Sequence, residues 1–476
     1  MLLITLPHHC ECMEEKLNWK EFSAADKSIW MQAAEKALKG KNYEDYLEWL
    51  SRDGITLQSY QDISDFPGDE SAPGTYPWNR GVSKENNNWT ISQKFQSKSL
   101  SNKQILKSLE EGVNGVILNF EGSSDFQLNR LLQDVLIEII DLQIHTKTSQ
   151  LDALEHLLSQ VSNKGLSAQG LKAAVLSDGL STWDGKSDAG HIQQIIDASR
   201  VSVDKKSLIR TVHVDLITAQ NEGCSPALEL GLALAKGHEY LQILLNAGFD
   251  VDQAGALLQF SLGVGPDYLI EIAKLRAIRP LWNQVISAYN PAHDCSSCIH
   301  LHVENSTWNY SANDAHNNLL RATSAAMSAV LGNCDSLALN PYDLKLENKD
   351  ESADRLSRSI QFVLREEAYF NKVADPAGGS WFIEDVTSKL AAKAWSIFQD
   401  VEKQGGFIEA GKKGVLQELI AKDQSALIAD YKSGKSTWIG VNKHPPKNAI
   451  SPKLKEGHSA MENLENHLLN VKEGEL

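Results

Sequence analysis

From Trp89 onward, short apolar runs alternate with longer segments whose apolar residues recur at helical spacing. The short runs have the length and the β-branched or aromatic content of buried strands. We predict eight strands, at Trp89–Phe95, Val113–Phe120, Ile139–His145, Leu171–Leu176, Ile209–Ile217, Leu257–Leu262, Cys298–Val303 and Ser336–Leu339. The intervening segments predict helices at Asn102–Glu111, Asp125–Asp134, Thr148–Ser162, His191–Ser199, Ser225–Ala247, Pro266–Tyr289 and Ala312–Leu331.

Eight alternating strand and helix units over about 250 residues are typical of a (β/α)8 TIM-type barrel, which places the chain in the α/β class. An open, doubly wound sheet has the same local alternation, so the periodicity favours the barrel without excluding the sheet. Pro280 lies inside one helical run. We expect it to kink or break that helix, because proline lacks the N–H donor and clashes with the preceding turn.

The segments before and after this pattern have a different character. Residues 14–50 have helical periodicity, whereas 62–88 are polar and contain Pro and Gly, which predicts an irregular arm. After Leu346, the pattern predicts amphipathic helices at Asp350–Phe370 and Glu384–Gln404. We therefore divide the chain into five segments. Residues 1–13 are a disordered tail, and 14–88 are an N-terminal arm and linker that forms a subunit interface. Residues 89–345 are the barrel, 346–444 are a C-terminal helical extension packed on the barrel, and 445–476 are a polar tail.

The composition narrows the classes of partner. Among 476 residues, 46 Lys and Arg stand against 62 Asp and Glu, for a net charge of −16. This balance argues against nucleic acid or an anionic membrane as the main partner. No run approaches the roughly 20 apolar residues of a membrane-spanning helix. The six cysteines are scattered, as reduced thiols in a cytoplasmic protein would be. We expect a cytoplasmic location.

Several passages carry a family resemblance. The longest are Arg355–Phe407, with its D-P-x-G-G-S-aromatic turn, and Asn246–Trp282. The strand Trp89–Phe95 (WTISQKF) is similar to a family W-T-I-R-Q strand, and Ser436–His444 (STWIGVNKH) to an I-G-V-N-K ending. These passages resemble the cobalamin-dependent acyl-CoA mutases, particularly methylmalonyl-CoA mutase. The resemblance implies a barrel, an N-terminal arm that wraps a partner subunit, and acyl-CoA chemistry.

The departures from the family pattern concern its catalytic residues. Lys84 stands where the family has a Tyr beside the substrate carbonyl, and Thr218 where it has the His that donates to the thioester oxygen. Leu257 falls where an Arg pairs with the substrate carboxylate, and Glu304 replaces a Gln. A leucine cannot neutralise a carboxylate, and an unpaired charge in a dry pocket is costly. We therefore expect no catalytic residue in this chain.

The resemblance also implies a flavodoxin-like cobalamin-binding domain with a D-x-H-x-x-G loop, and we expect this chain to lack both. Only 70 residues follow Gly406, and Asp314-Ala315-His316 lacks the glycine of that loop. The chain thus resembles the small, non-catalytic subunit of the family, inactive alone and without a cofactor of its own. The implied partner is a large catalytic subunit that holds adenosylcobalamin. Their heterodimer would interconvert (R)-methylmalonyl-CoA and succinyl-CoA.

Two alternatives stay open. The chain could be a catalytic barrel that takes cobalamin from a separate carrier protein, or a scaffold that binds acyl-CoA weakly in a vestigial pocket. His302 matches the family's pocket histidine at a strand end. On the vestigial-pocket hypothesis we expect His302, Gln93 and Trp89 to bind the substrate.

Four local patterns have competing interpretations. In His293–His302, strand steps of about 6.6–7 Å would separate Cys298, His300 and His302, which disfavours a metal site. We interpret the other three as structural. Gly263–Pro266 is a tight turn in preference to a phosphate-binding loop, Arg276 and Arg279 are ion-paired, and Asp375–Gly379 is a Pro/Gly turn.

Overall fold

The computed structural model describes residues 26–446 with gaps at 63, 66–70, 97–99, 121–125, 148, 208, 348–349 and 351, together with 463–465 and 468. The predicted tail at 1–13, the beginning of the arm and most of the predicted tail at 445–476 lie outside the described residues. The predicted division into segments stays a prediction.

Eight parallel strands close into a barrel, so the open-sheet alternative is wrong. Closure is made by the last strand, β10 (Ser336–Ala338), where Ser336 is paired with Thr90 on one side and with His302 on the other. All eight predicted strands are confirmed, each to within two residues at either end. They are β3 Thr90–Gln96, β4 Gly115–Asn119, β5 Asp141–His145, β6 Ala173–Ser177, β7 Arg210–Asp215, β8 Leu258–Val264, β9 His300–Asn305 and β10 Ser336–Ala338.

Helices follow the strands and surround the barrel. The predicted helix at Asp125–Asp134 shortens to four residues, and Ala312–Leu331 begins five residues late. The helices are α3 Asn102–Glu110, α4 Leu128–Leu131, α5 Gln150–Asn163, α6 Ala189–Asp204, α7 Ile217–Asn221, α8 Pro226–Asn246, α9 Val251–Leu257, α10 Tyr268–Ser287 and α11 Asn317–Leu331.

The helix α10 continues through Pro280, so the predicted break is wrong. Its residues on both sides of Pro280 are buried, including Ile278 and Trp282. α10 packs against α8, α11 and the C-terminal helix α13 Trp381–Lys403. Burial on several sides stabilises this helix against the loss of one backbone hydrogen bond.

The N-terminal arm is less helical than its periodicity predicts. The helices α1 Lys27–Leu38 and α2 Tyr43–Leu47 precede an antiparallel hairpin, β1 Glu48–Leu50 and β2 Thr56–Gln58. The helical structure expected within 14–50 is therefore wrong at Glu48–Leu50, which form a strand. Gly54, at φ +73°, allows the tight turn that reverses the chain. The irregular course predicted for 62–88 is confirmed where the structure describes it.

The C-terminal extension is more helical than predicted. The predicted helix at Asp350–Phe370 is observed as α12 Ala353–Phe362, followed by a π-helical turn over Val363–Glu367. The predicted Glu384–Gln404 helix is α13, which packs on α8 and α10. The helices α14 Phe407–Lys412 and α15 Val415–Lys432 were not predicted. Within the residues described, no helix is long and apolar enough to cross a bilayer.

The apolar core lies between the strands and their helices. Phe260 on β8 contacts Trp282 on α10 with ring centroids 4.9 Å apart, and both rings are fully buried. A Cβ added at Gly237 of α8 would come within 2.9 Å of both rings, so only glycine lets α8 approach this closely. Full burial of each such ring contributes roughly 1.5–3 kcal/mol. This apolar layer, the outer shell, lies between the outer faces of the strands and the helices. The inner faces of the strands are not part of it and line a separate interior.

Candidate functional site

The inner faces of the strands carry polar side chains that contact one another across the barrel axis. Gln259 of β8 donates to Gln143 of β5 at 2.8 Å, although two strands lie between them. Such a contact is possible only through the interior. We call this set the interior network: Lys94, Asp141, Gln143, His145, Arg210, His213, Gln259, Ser261, His300, His302, Glu304 and Ser336.

At the amino-terminal end of the barrel, the network contains one carboxylate between two basic groups. Asp141 lies 3.9 Å from the guanidinium of Arg210 and 3.9 Å from the ring of His300. Arg210 also donates to Gln259 at 3.0 Å. Burial raises the pKa of Asp141, and burial together with the charge of Arg210 lowers the pKa of His300 well below its usual range. His300 is therefore neutral at pH 7.

The middle of the barrel is joined by hydrogen bonds. His302 is fully buried, and its Nδ1 lies 2.7 Å from the hydroxyl of Ser336. Gln143 also reaches Ser336, at 3.5 Å. These contacts link β5, β9 and β10 through the axis.

At the carboxyl-terminal end, Lys94 of β3 forms an ion pair with Glu304 of β9. Burial opposes the ionisation of Glu304, but the Lys94 ammonium and His302 hold its pKa well below the usual range. His302 Nε2 lies 3.7 Å from the same carboxylate. Two further rings, His145 and His213, lie 4.9 Å apart, and burial holds the pKa of both below the usual value.

A second buried charged group lies beside the carboxyl end of β8. Lys274 of α10 pairs with Glu229 at 2.7 Å and with Glu271 at 2.5 Å, and all three side chains are buried. The amides of Gly263 and Gly265 donate to these carboxylates, each at 2.9 Å. Burial raises the pKa of Glu229 to about 7. The turn at Gly263–Pro266 thus binds carboxylates of its own chain, in agreement with its structural interpretation.

The two arginines are ion-paired as expected, and Asp375 of the Pro/Gly turn is one of their partners. Arg276 pairs with Asp375 and with Glu384, and Arg279 pairs with Asp335 at 3.0 Å. Arg80 of the N-terminal arm also donates to Asp375, at 2.7 Å. The Asp375–Gly379 turn therefore connects the arm to α10.

A cavity of about 810 Å³ lies outside β3, between α3 and α12. Its wall includes Gln93, Lys107 and Arg355, and it reaches the barrel end at Lys94 and Glu304. Inside this wall, Arg358 pairs with Glu111 and donates to Gln93 at 2.8 Å. The volume is within the range of small-ligand pockets, and the wall carries both signs of charge.

The three residues predicted for a substrate pocket do not line one pocket. His302 is on the barrel axis, in the middle of β9 and not at the strand end where it was expected. Gln93 faces outward toward α12, where it lines the cavity. Trp89 precedes β3, is 3% exposed and donates to Gln361 at 3.1 Å. Their binding of substrate stays a prediction.

Two positions equated with family catalytic residues lie far apart along the barrel. Thr218 is in α7, just beyond the carboxyl end of β7. Leu257 ends α9 at the amino end of β8, with its side chain in the apolar cluster. These two replacements therefore lie at opposite ends of adjacent parallel strands, where their side chains cannot contact the same small group.

The metal-like stretch 293–302 is divided between two environments. Cys295 and Cys298 belong to a turn before β9, whereas His300 and His302 point into the barrel and both contact Ser336. The possible cobalt ligand His316 also fits poorly. Its ring stacks on Tyr342 at 5.3 Å, and Asp314, which would orient it, accepts a hydrogen bond from Asn317 instead.

The closed barrel with its covering helices defines the class of protein, a (β/α)8 barrel. Comparison with protein families gives a match over residues 123–473 to the family described as methylmalonyl-CoA mutase. This chain therefore belongs to the methylmalonyl-CoA mutase family.

Individual relatives agree with this assignment. The methylmalonyl-CoA mutase small subunit of Porphyromonas gingivalis is 29% identical, with 91% of this chain and 71% of that protein covered. The small subunit of Streptomyces virginiae is also 29% identical, with 89% and 71% covered. The mitochondrial methylmalonyl-CoA mutase of Bos taurus is 27% identical; 87% of this chain and 60% of the bovine protein are covered.

Proposed function

We propose that this chain is the non-catalytic small subunit of a cytoplasmic, heterodimeric methylmalonyl-CoA mutase. The observation that carries the proposal is the interior network. Within the interior network, Lys94 is the positive charge at the carboxyl-terminal end of the barrel. It could bind a substrate carboxylate, but it is already paired with Glu304. Placing an anionic substrate beside the buried Glu304 carboxylate would add a like charge, which is unfavourable in a buried site.

The catalytic role is assigned to a larger partner. Three relatives are named small subunits, and a small subunit implies a large one. In the proposed complex, the large subunit holds adenosylcobalamin and interconverts (R)-methylmalonyl-CoA and succinyl-CoA. The cofactor would supply the radical chemistry there. This chain would stabilise the partner through its surface.

The arm presents a surface suited to that contact. Tyr46, Trp49 and Leu50 are 56%, 48% and 63% exposed, and Trp381 of α13 is 43% exposed. We call these four residues the arm patch. Trp49 stacks on Phe382, next to Trp381, with ring centroids 6.1 Å apart. Aromatic residues are enriched at the centres of protein interfaces, which supports the arm patch as part of the subunit interface.

The test separates chemistry from assembly in the purified two-subunit complex. The double variant Lys94→Met/Glu304→Gln should leave turnover per complex within about twofold of wild type, because loss of a true acid–base group costs roughly 10²–10⁴-fold. Turnover by this chain with a cobalamin carrier and no large subunit would contradict the proposal.

Assembly of the two subunits is tested with the double variant Trp49→Ala/Leu50→Ser. We expect at least about tenfold weaker association with the large subunit, since buried aromatic anchors dominate interface energies. Leu320→Ala is the matched control, because Leu320 is 69% exposed on α11 and outside the arm patch. Equal association of the arm variant and the control would place the interface elsewhere.

A second candidate is a vestigial acyl-CoA-binding scaffold, favoured by the cavity beside Gln93. Calorimetric titration of the isolated chain with CoA, comparing wild type with Arg355→Ala and Gln93→Leu, tests it. Saturable binding that both variants weaken would support this candidate, and heats equal to dilution would rule it out.

A further inference from the structure

Two cysteines share one hydrogen-bonded turn at the amino end of β9. A 3-10 helix spans Asp294–Ser297, and the amide of Cys298 donates to the carbonyl of Cys295 at 3.0 Å. In 3-10 geometry, side chains three residues apart lie on the same face. The Cα atoms across such a turn lie within about 7 Å, which overlaps the range that a disulfide spans.

The two thiols differ in access to solvent. Cys295 is exposed, whereas Cys298 is half-buried, and both are free. The remaining described cysteines, Cys224 and Cys334, are buried. A disulfide in solution can therefore reach Cys295 directly, and Cys298 lies next to it.

The turn is held by contacts that do not involve the cysteines. Asp252 of α9 accepts hydrogen bonds from the amides of Ala292 and His293 at 3.0 Å, and from the hydroxyl of Ser296. Trp78 of the arm donates to the hydroxyl of Ser297 at 3.1 Å. Fixing two reacting groups in one turn makes their reaction effectively unimolecular.

We propose that Cys295 and Cys298 form a reversible dithiol–disulfide site whose substrates are small disulfides such as oxidised glutathione. The Cys295 thiolate attacks one sulfur of the small disulfide, which forms a mixed disulfide and releases one thiolate. The Cys298 thiolate then attacks the Cys295 sulfur, closes the intrachain bond and releases the second thiolate. Two electrons pass from the protein to the small disulfide, and the two protons leave to the released thiolates. This site does not depend on the proposed function.

The second step is the slow one. Burial raises the pKa of the Cys298 thiol to about 11. Because the thiolate is the nucleophile, ring closure should accelerate about tenfold per pH unit near neutrality. The mixed disulfide at Cys295 should therefore accumulate transiently at pH 7, and once excess oxidised glutathione is removed its conversion to the intrachain disulfide should be about tenfold faster at pH 8.

The experiment uses the folded full chain with Cys10 and Cys12 replaced by serine, exposed to oxidised glutathione, quenched with an alkylating agent and mapped by mass spectrometry. We expect a single peptide that contains both Cys295 and Cys298 and is lighter by two hydrogens. Dithiothreitol should restore its original mass. Cys224 and Cys334 should react only after unfolding. In Cys298→Ser, the glutathione adduct at Cys295 should form and persist.

Cys295→Ser is the matched control, because it retains only the half-buried thiol. Cys298 should then react at least about tenfold more slowly than Cys295 does in the wild type. A wild-type reaction that stops at the adduct, or equal rates in wild type and Cys295→Ser, would overturn the proposal.

Discussion

The two faces of the barrel strand β8 are equally buried but chemically opposite. On β8, Leu258, Phe260 and Leu262 point outward to the helices, while Gln259 and Ser261 point inward, and all five are at most 2% exposed. The outer face is stabilised by area removed from water. The inner face is stabilised only as long as each polar group keeps its partner. Burial therefore does not decide residue type in this barrel; the available partners do.

The largest effect should come from the outer face. Phe260→Ala removes a ring packed between Gly237 and Trp282 and leaves a cavity. We expect the free energy of unfolding to fall by roughly 3–5 kcal/mol. Urea denaturation followed by circular dichroism measures it, with Phe260→Leu as a milder control. A change below about 1 kcal/mol would mean that the shell repacks, and the contrast between faces would weaken.

On the inner face of the same strand, Gln259→Leu removes the partner of both Gln143 and Arg210. The change keeps a similar volume, so the cost is that of unsatisfied buried polar groups, about 1–3 kcal/mol. The same denaturation experiment measures it. A loss larger than that of Phe260→Ala would reverse the ranking of the two faces.

The inner face should also respond to pH. Burial lowers the pKa of His213 below the usual histidine value of about 6.5, which the unfolded chain retains. Below pH 6.5 the unfolded state therefore binds a proton that the folded state does not, and stability falls as pH falls through that window. The contribution is at most about 1.4 kcal/mol per pH unit.

His213→Gln removes the titrating imidazole and should reduce the pH dependence of the free energy of unfolding. Glu229, with a raised pKa of about 7, acts in the opposite direction, so the quantity to compare is the difference between variant and wild type at pH 7.0, 6.0 and 5.5. Parallel stability curves would show that His213 does not contribute to the pH dependence.

The smallest effect is expected away from both faces. Lys403 pairs with Asp400 at 2.8 Å on α13, and both side chains are largely exposed. Lys403→Ala should change the free energy of unfolding by no more than about 0.5 kcal/mol. A larger loss would show that surface pairs on α13 help hold it against the barrel.

The outer face explains why the strands could be predicted from the sequence. Runs such as Leu257–Leu262 are apolar at the positions that face helices, and this spacing is visible without knowing the partners. The hairpin of β1 and β2 was missed because three-residue strands leave almost no period to detect. The helix α15 follows a weaker pattern, and its packing on the barrel is a tertiary effect.

The inner face had a signal that only the closed barrel makes interpretable. Asp141, Gln143 and His145 alternate with apolar residues, and so do His300, His302 and Glu304. Alternation alone is also typical of a strand with one face in water. Pairing of Lys94 with Glu304 depends on which strands meet across the axis, and that follows from closure by β10. The resemblance to the family placed His302 correctly in the barrel but not its depth.

Closure has a consequence for how the chain is made. The first barrel strand, β3, cannot pair with β10 until Ser336–Ala338 have been synthesised, so any sheet that forms earlier on the growing chain is open. In a barrel with an aliphatic interior, that open sheet would expose an apolar surface that promotes aggregation with other nascent chains. Here it presents glutamine, histidine, serine and charged groups that water can solvate. We expect the half-made protein to resist aggregation on the ribosome better than its length and topology suggest.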